Sequence, residues 1–75
     1  MIEIYGKDGC TFCTKAVGLA EMQGLNYVYK KLGRDFAREE IFEMFPNART
    51  FPQIRANGEY IGGYEQFVQY TMKAA

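Results

Sequence analysis

Gly9-Cys10-Thr11-Phe12-Cys13-Thr14-Lys15-Ala16-Val17-Gly18-Leu19-Ala20 is the stretch on which the fold turns. Cys13, Ala16, Val17 and Ala20 recur at i, i+3, i+4 and i+7, which makes one apolar stripe along a helix. The spacing predicts a helix from about Thr11 to Gln23, and Gly24 stands where such a helix stops. Gly9 lets the backbone bend just before Cys10. Gly18 lies inside the predicted helix, where glycine costs about 1 kcal/mol relative to alanine. Its presence there suggests close packing on a sheet.

Working outward, residues 1–6 read as a strand with Ile2 and Ile4 on one face, and residues 26–32 as a second strand. Asp35 is the expected N-cap of a second helix reaching about Phe45, with Ala37, Ile41, Met44 and Phe45 as its apolar stripe. Pro46 closes it. Pro52 to Ala56 is a third strand and Glu59 to Gly62 a fourth. Asn57-Gly58 between them is a strong hairpin signal, because both residues tolerate positive φ. Gly62-Gly63 leads into a last helix with Tyr64, Phe67, Val68 and Thr71 on one face. The order is βαβαββα. The first βαβ unit implies a right-handed parallel crossover. The closing hairpin adds antiparallel strands, so the class is α/β, a four-stranded mixed sheet with helices on both faces. With 75 residues, no repeat and no linker, the chain reads as one domain, 1–75.

A domain this small is marginal unless its core is dense. Six Phe and six Tyr supply large buried areas. The aromatic pairs Tyr27/Tyr29 and Tyr60/Tyr64 read as sheet packing. Glu39, Glu40 and Glu43 read as a solvated helix face. Formal net charge is zero, which argues against a nucleic-acid binder, since that function needs a basic face to displace counterions. No apolar run approaches the roughly 20 residues that span a bilayer, so no membrane role is expected. No signal peptide is evident in Met1-Ile2-Glu3-Ile4-Tyr5, and a cytoplasmic setting follows as the default.

The chain has no His. That excludes Cys–His and Ser–His–Asp catalysis and His-containing zinc sites. The two cysteines, Cys10 and Cys13, then carry the chemistry. A C-x-x-C beside a βαβ pattern reads as a thioredoxin-like redox motif. Cys10 falls at the predicted helix start, where unpaired N–H groups and the helix dipole favour a thiolate. Lys7 adds a nearby positive charge. Both are expected to lower the Cys10 pKa below the usual value of about 8.5, and the thiolate is the form that attacks a disulfide. Cys13 lies almost one turn further on the same side, as a resolving thiol should. It also falls on the buried stripe, so an outside disulfide should meet Cys10 first. A zinc site is disfavoured, because zinc takes four ligands and no second pair exists. A static disulfide is disfavoured by the reducing cytosol.

The chain resembles the glutaredoxins over nearly its whole length. The resemblance rests on Tyr5-Gly6-Lys7, the C-x-x-C, Ala48-Arg49-Thr50-Phe51-Pro52-Gln53-Ile54, Asn57-Gly58 and Ile61-Gly62-Gly63-Tyr64, in that order and at these spacings. It implies a thioredoxin-like fold with sheet order 2-1-3-4. It implies reduction of protein disulfides and glutathione mixed disulfides, with glutathione as the recharging co-substrate and ribonucleotide reductase among family clients. It implies a cis bond before Pro52 that turns the Phe51 backbone towards Cys10, to pair with an extended substrate. It implies a site of Lys7, Thr11, Phe12, Thr50, Phe51, Pro52, Gly63, Tyr64 and Glu65. Lys7 would take the glycine carboxylate of glutathione, and the N–H groups of Gly63, Tyr64 and Glu65 its γ-glutamyl carboxylate. Arg38 and Arg49 are either further cations or solvated surface charges. A monomer of compact bacterial or phage type is expected.

The sequence also departs from the family pattern. Thr11-Phe12 stands where Pro-Tyr is common, and Phe12 is expected to line the substrate groove. Glu65-Gln66 stands where Ser, Thr or Asp followed by Asp is usual. A Glu65 carboxylate would repel the γ-glutamyl carboxylate, and Gln66 loses a partner for the ammonium group. Arg55 takes a position that is apolar in many relatives. Two alternatives follow: a redoxin recharged by thioredoxin reductase, and a glutathione-dependent dimer holding an iron–sulfur cluster through Cys10.

Overall fold

Alternation along the first strand sets the layers. Ile2 and Ile4 point to one face of the sheet and Glu3 and Tyr5 to the other, as the period of two requires. The computed structural model describes residues 1–46, 48 and 50–74. Its elements are β1 (Ile2–Gly6), α1 (Thr11–Met22), β2 (Tyr27–Lys31), α2 (Arg38–Met44), β3 (Gln53–Ala56), β4 (Glu59–Gly62) and α3 (Tyr64–Ala74). The four strands form one sheet in the order β2-β1-β3-β4. β1 runs parallel to β2 and antiparallel to β3, and β4 returns antiparallel beside β3. The mixed sheet and its order agree with the sequence expectation. Among the described residues no helix is long and apolar enough to cross a membrane.

One core lies between the sheet and the α1/α3 pair. It comprises Ile2, Ile4, Ile54 and Ala56 from the strands, Ala16 and Ala20 from α1, and Phe67 from α3. Cys13 is buried on the same stripe of α1, and Val17 is half-buried. The second core covers the opposite face. There Tyr5 meets Phe36 and Phe45 edge-on, with centroids 5.4 and 5.5 Å apart, and Ile41 and Ala48 close the cluster. Edge-to-face contacts of this kind add to the area each ring buries.

The hairpin forms as its residues dictate. Asn57 has φ 54° and Gly58 φ 83°, the left-handed pair that a two-residue turn demands. Gly6 is crowded from another side. A Cβ there would lie 2.5 Å from the Tyr29 hydroxyl and 2.8 Å from its ring.

Two local expectations are corrected. Asp35 does not cap the second helix. Its carboxylate accepts the Lys31 N–H at 2.8 Å and pairs with Arg34, closing a turn that places Phe36 in the second core. The helix starts at Arg38 after Ala37, whose N–H donates to Glu40 Oε1 at 2.9 Å. Ala37 is therefore exposed, and Ile41 carries the buried stripe. Gly18 does not pack closely, since a Cβ there would meet nothing within 4 Å. The tyrosines pack on the sheet as expected, with Tyr27, Tyr29 and Tyr64 against the first core. Tyr60 lies against Phe45 at 4.9 Å between centroids, and Tyr64 lies against Phe12 at 5.7 Å.

Candidate active site

Cys10 is the N-cap of α1. Its φ and ψ are −106° and 107°, so the residue is still extended while its carbonyl already accepts the Thr14 N–H at 3.2 Å. Its Sγ accepts the Cys13 N–H at 3.1 Å. The sulfur thus takes the place of the side-chain oxygen that normally satisfies a free N–H at a helix start. An anion at this position also lies at the positive end of the helix dipole. Cys10 and Cys13 are joined as a disulfide, with Cα atoms 5.2 Å apart. Cys10 is partly exposed, whereas Cys13 is only 1% exposed. An incoming sulfur reaches the first and not the second.

Phe51 meets the cysteine from the other side. The Phe51–Pro52 peptide bond is cis, and the Phe51 carbonyl oxygen lies 3.7 Å from Cys10 Sγ. Lys7 stands over the Phe51 ring, with Nζ 5.9 Å from the centroid. Lys7 lines two hollows. One contains Cys10, Thr11 and Thr14, and the other contains Arg38, Phe42, Thr50 and Phe51. Arg38 is thus on the Lys7 side of the site, while Arg49 lies outside the described residues. The Tyr29 hydroxyl reaches the Lys7 carbonyl at 3.5 Å. Burial, then the nearby Asp8 carboxylate, pushes the Tyr29 phenol up from its ordinary value.

A separate groove brings together Phe12, Thr50, Phe51, Pro52, Gly63, Tyr64 and Glu65, joined by Gln66. Phe12 is 52% exposed and forms one wall with Tyr64. Lys15 Nζ sits 5.2 Å from the Phe12 ring centroid, on a favourable face for a cation. Thr11 stays outside this groove, in the Cys10 hollow. The sequence reading named every wall of the groove except Gln66, which it treated only as a lost partner. Gln66 Oε1 accepts the Gly63 N–H at 3.0 Å. This is half of a capping box, with glutamine three residues after the cap residue, a spacing readable in Gly63-Tyr64-Glu65-Gln66. One of the N–H groups assigned to a carboxylate ligand is therefore already occupied. Tyr64 and Glu65 head the helix, where N–H groups lack a partner within it.

Among the described residues no group of three or more His, Cys, Asp or Glu could hold a metal ion. The arrangement can do one kind of chemistry: sulfur exchange at a partly exposed helix-capping cysteine, with a second sulfur in bonding reach.

A C-x-x-C disulfide at the first helix of this sheet, facing a cis-proline loop, defines a thioredoxin-fold dithiol protein. Comparison with known proteins narrows the class. The glutaredoxin family model matches residues 2–61. A probable glutaredoxin of Synechocystis sp. is 38% identical over 66 residues, which is 87% of this chain and 61% of the relative. The chain thus spans about three fifths of that relative's length. Escherichia coli glutaredoxin 3 is 29% identical over 62 residues, covering 83% of this chain and 75% of the relative. The structure of reduced Escherichia coli glutaredoxin superposes with a TM-score of 0.82 at 27% identity, covering 96% of this chain and 93% of the other. The protein belongs to the glutaredoxin family.

Proposed function

We propose that the protein is a cytoplasmic, monomeric thiol–disulfide oxidoreductase that reduces protein disulfides and glutathione mixed disulfides and is recharged by glutathione. One observation carries the reading: the Cys13 N–H held on Cys10 Sγ at 3.1 Å, at the tip of a helix where Cys10 is partly exposed.

The Cys10 thiolate attacks one sulfur of a client disulfide. A Cys10–client bond forms, and the other client sulfur leaves as a thiolate. Cys13 loses its proton and attacks Cys10 Sγ. The Cys10–Cys13 bond forms, and the client departs with its second sulfur reduced. Two electrons have moved from the protein to the client. Two glutathione molecules return them: the first bonds to Cys10 and frees Cys13, and the second takes the first away as glutathione disulfide. The Cys13 N–H favours the Cys10 sulfur as leaving group in that last step, because it stabilises the anion.

Lys7 suits the glycine carboxylate of glutathione, with Arg38 on the same side. The groove of Phe12, Thr50, Phe51, Pro52, Gly63, Tyr64 and Glu65 suits the rest of the tripeptide or a client segment. Ribonucleotide reductase is a client of suitable chemistry. Replacing Cys10 by Ser should abolish turnover in a glutathione-coupled disulfide reduction assay, and substantial residual activity would overturn the reading.

A second reading keeps the chemistry and changes the reductant to thioredoxin reductase. It is favoured by the Gly63 N–H being occupied by Gln66 and by the Glu65 carboxylate in the same groove. Supplying each reductant alone separates the two.

A further inference from the structure

We infer that Gln53, held by Tyr60, is the positioning residue that sets the Phe51 carbonyl against Cys10 for clients that present a peptide backbone. The inference rests on the redox reading above. Gln53 is a buried polar residue, 4% exposed, at the first position of β3. Both ends of its amide are used. Nε2 donates to the Thr50 carbonyl at 2.6 Å, and Oε1 accepts the Tyr60 hydroxyl at 2.6 Å. The orientation of the amide is unambiguous, since a carbonyl only accepts and so must face the NH2 end.

The bond from Gln53 back to Thr50 closes a ring around Phe51 and Pro52. Phe51 is the residue whose carbonyl oxygen lies 3.7 Å from Cys10 Sγ. That carbonyl is where an extended client chain would find a backbone partner. Without the Gln53 donor, the Thr50 carbonyl loses its tie to β3 and the segment carrying Phe51 gains freedom. Tyr60 anchors the amide from the edge strand. Its ring is fixed against Phe45, 4.9 Å between centroids, while the residue remains 53% exposed. A small disulfide without a peptide backbone has no use for the Phe51 carbonyl, so it should not register the change.

The test measures the second-order rate at which the reduced protein attacks two probes: an extended peptide disulfide, and bis(2-hydroxyethyl) disulfide. Tyr60→Phe removes the donor to Oε1 from an exposed position and leaves the fold intact. It should slow the peptide reaction about fivefold, the value of one lost hydrogen bond, and leave the small disulfide within about twofold. Gln53→Glu separates the two ends of the amide. An ionised carboxylate still accepts from Tyr60 but cannot donate to Thr50, whereas the protonated acid donates again. Burial raises the pKa of such an acid. Around it stand Tyr5 across on β1, Tyr60 on β4, and Arg55 on the same face with Glu3 and Lys30 beyond. Arg55 opposes that rise, so the rate of Gln53→Glu relative to wild type on the peptide should recover by about fivefold in a titration from about pH 8 to 4, as the carboxyl takes up its proton. Gln53→Leu should show a loss with no such recovery.

Equal slowing of both probes by Tyr60→Phe, or a flat pH ratio for Gln53→Glu, overturns the inference while leaving the redox reading intact. A wild-type protein inert toward both probes overturns the redox reading and this inference with it.

Discussion

Arg55 and Glu3 face each other across β3 and β1 and make a two-pronged ion pair, Nε to Oε1 at 3.1 Å and Nη2 to Oε2 at 2.9 Å. The Tyr5 hydroxyl bridges them. It donates to Glu3 Oε2 at 3.1 Å and accepts from Arg55 Nη2 at 3.1 Å. Lys30 adds a weaker contact to Glu3 at 3.6 Å. A charged residue in a usually apolar strand position is thereby accounted for. The guanidinium is paired through its flat fork, and it covers the Tyr5 and Phe45 rings at 5.7 and 5.9 Å.

The Arg55 hydrogen bond, aided by those from Tyr5 and the nearby positive charges, holds the Glu3 carboxyl below its ordinary value, with partial burial opposing. A depressed carboxyl pKa contributes stability above the unfolded value of about 4.3, and the contribution is lost as pH falls through the folded value. Glu3→Gln should therefore cost about 1 kcal/mol at neutral pH, discounted for the remaining solvent access. The difference from wild type should vanish in acid. Urea unfolding across a pH series from about 7 downward checks this, and a deficit that does not shrink as the carboxyl takes up its proton would count against the ionic pair as its cause.

Alkylation of the reduced protein should show a fast thiol and a slow one. The fast one is Cys10, with its rate rising through a midpoint below the free-thiol value of about 8.5. Cys13, 1% exposed, should react only after unfolding. Iodoacetamide labelling against pH, read by mass spectrometry at each cysteine, tests both statements. A midpoint at the free-thiol value would remove the role assigned to the helix cap.

Glutathione affinity should respond to Glu65. This carboxylate lines the groove beside the Gly63–Gln66 cap. Glu65→Gln should lower KM for glutathione by about threefold, the range of an exposed charge pair. The gain should shrink at high salt as screening grows. An unchanged KM would place the γ-glutamyl carboxylate elsewhere.

Gly18→Ala should stabilise the protein by about 0.5–1 kcal/mol. The position is helical, exposed and open, with nothing within 4 Å of an added Cβ. A shift of the denaturation midpoint upward at unchanged slope is the expected result. Destabilisation would show that the glycine serves a purpose absent from the folded chain.

Much of the architecture was legible along the chain. The i, i+3, i+4, i+7 stripe from Cys13 to Ala20, the Ile2/Ile4 alternation and Asn57-Gly58 each specify a local conformation without help from distant residues. The second helix was misread at its start because Asp35 has two local uses. It can cap a helix, or it can tie a turn through the Lys31 N–H, and burial of Phe36 decided for the turn. The groove residues were found by resemblance rather than by pattern, since Phe12, Thr50 and Tyr64 lie on three separate segments. Gln66 was read only as a lost partner for the ammonium group, although its place three residues after Gly63 marks it as the residue that occupies the Gly63 N–H.

By itself the sequence determined the order of elements, the pair of cysteines one turn apart and the helix start beneath the first of them. These depend on neighbours a few residues away, where side-chain period and backbone preference act directly. Tertiary structure alone decided that Gln53 bridges Tyr60 to Thr50 and that Arg55 finds Glu3. Those contacts join residues up to 52 positions apart. Which polar groups meet at such range follows from strand register and from the face each side chain takes, and those are set only when the sheet has formed.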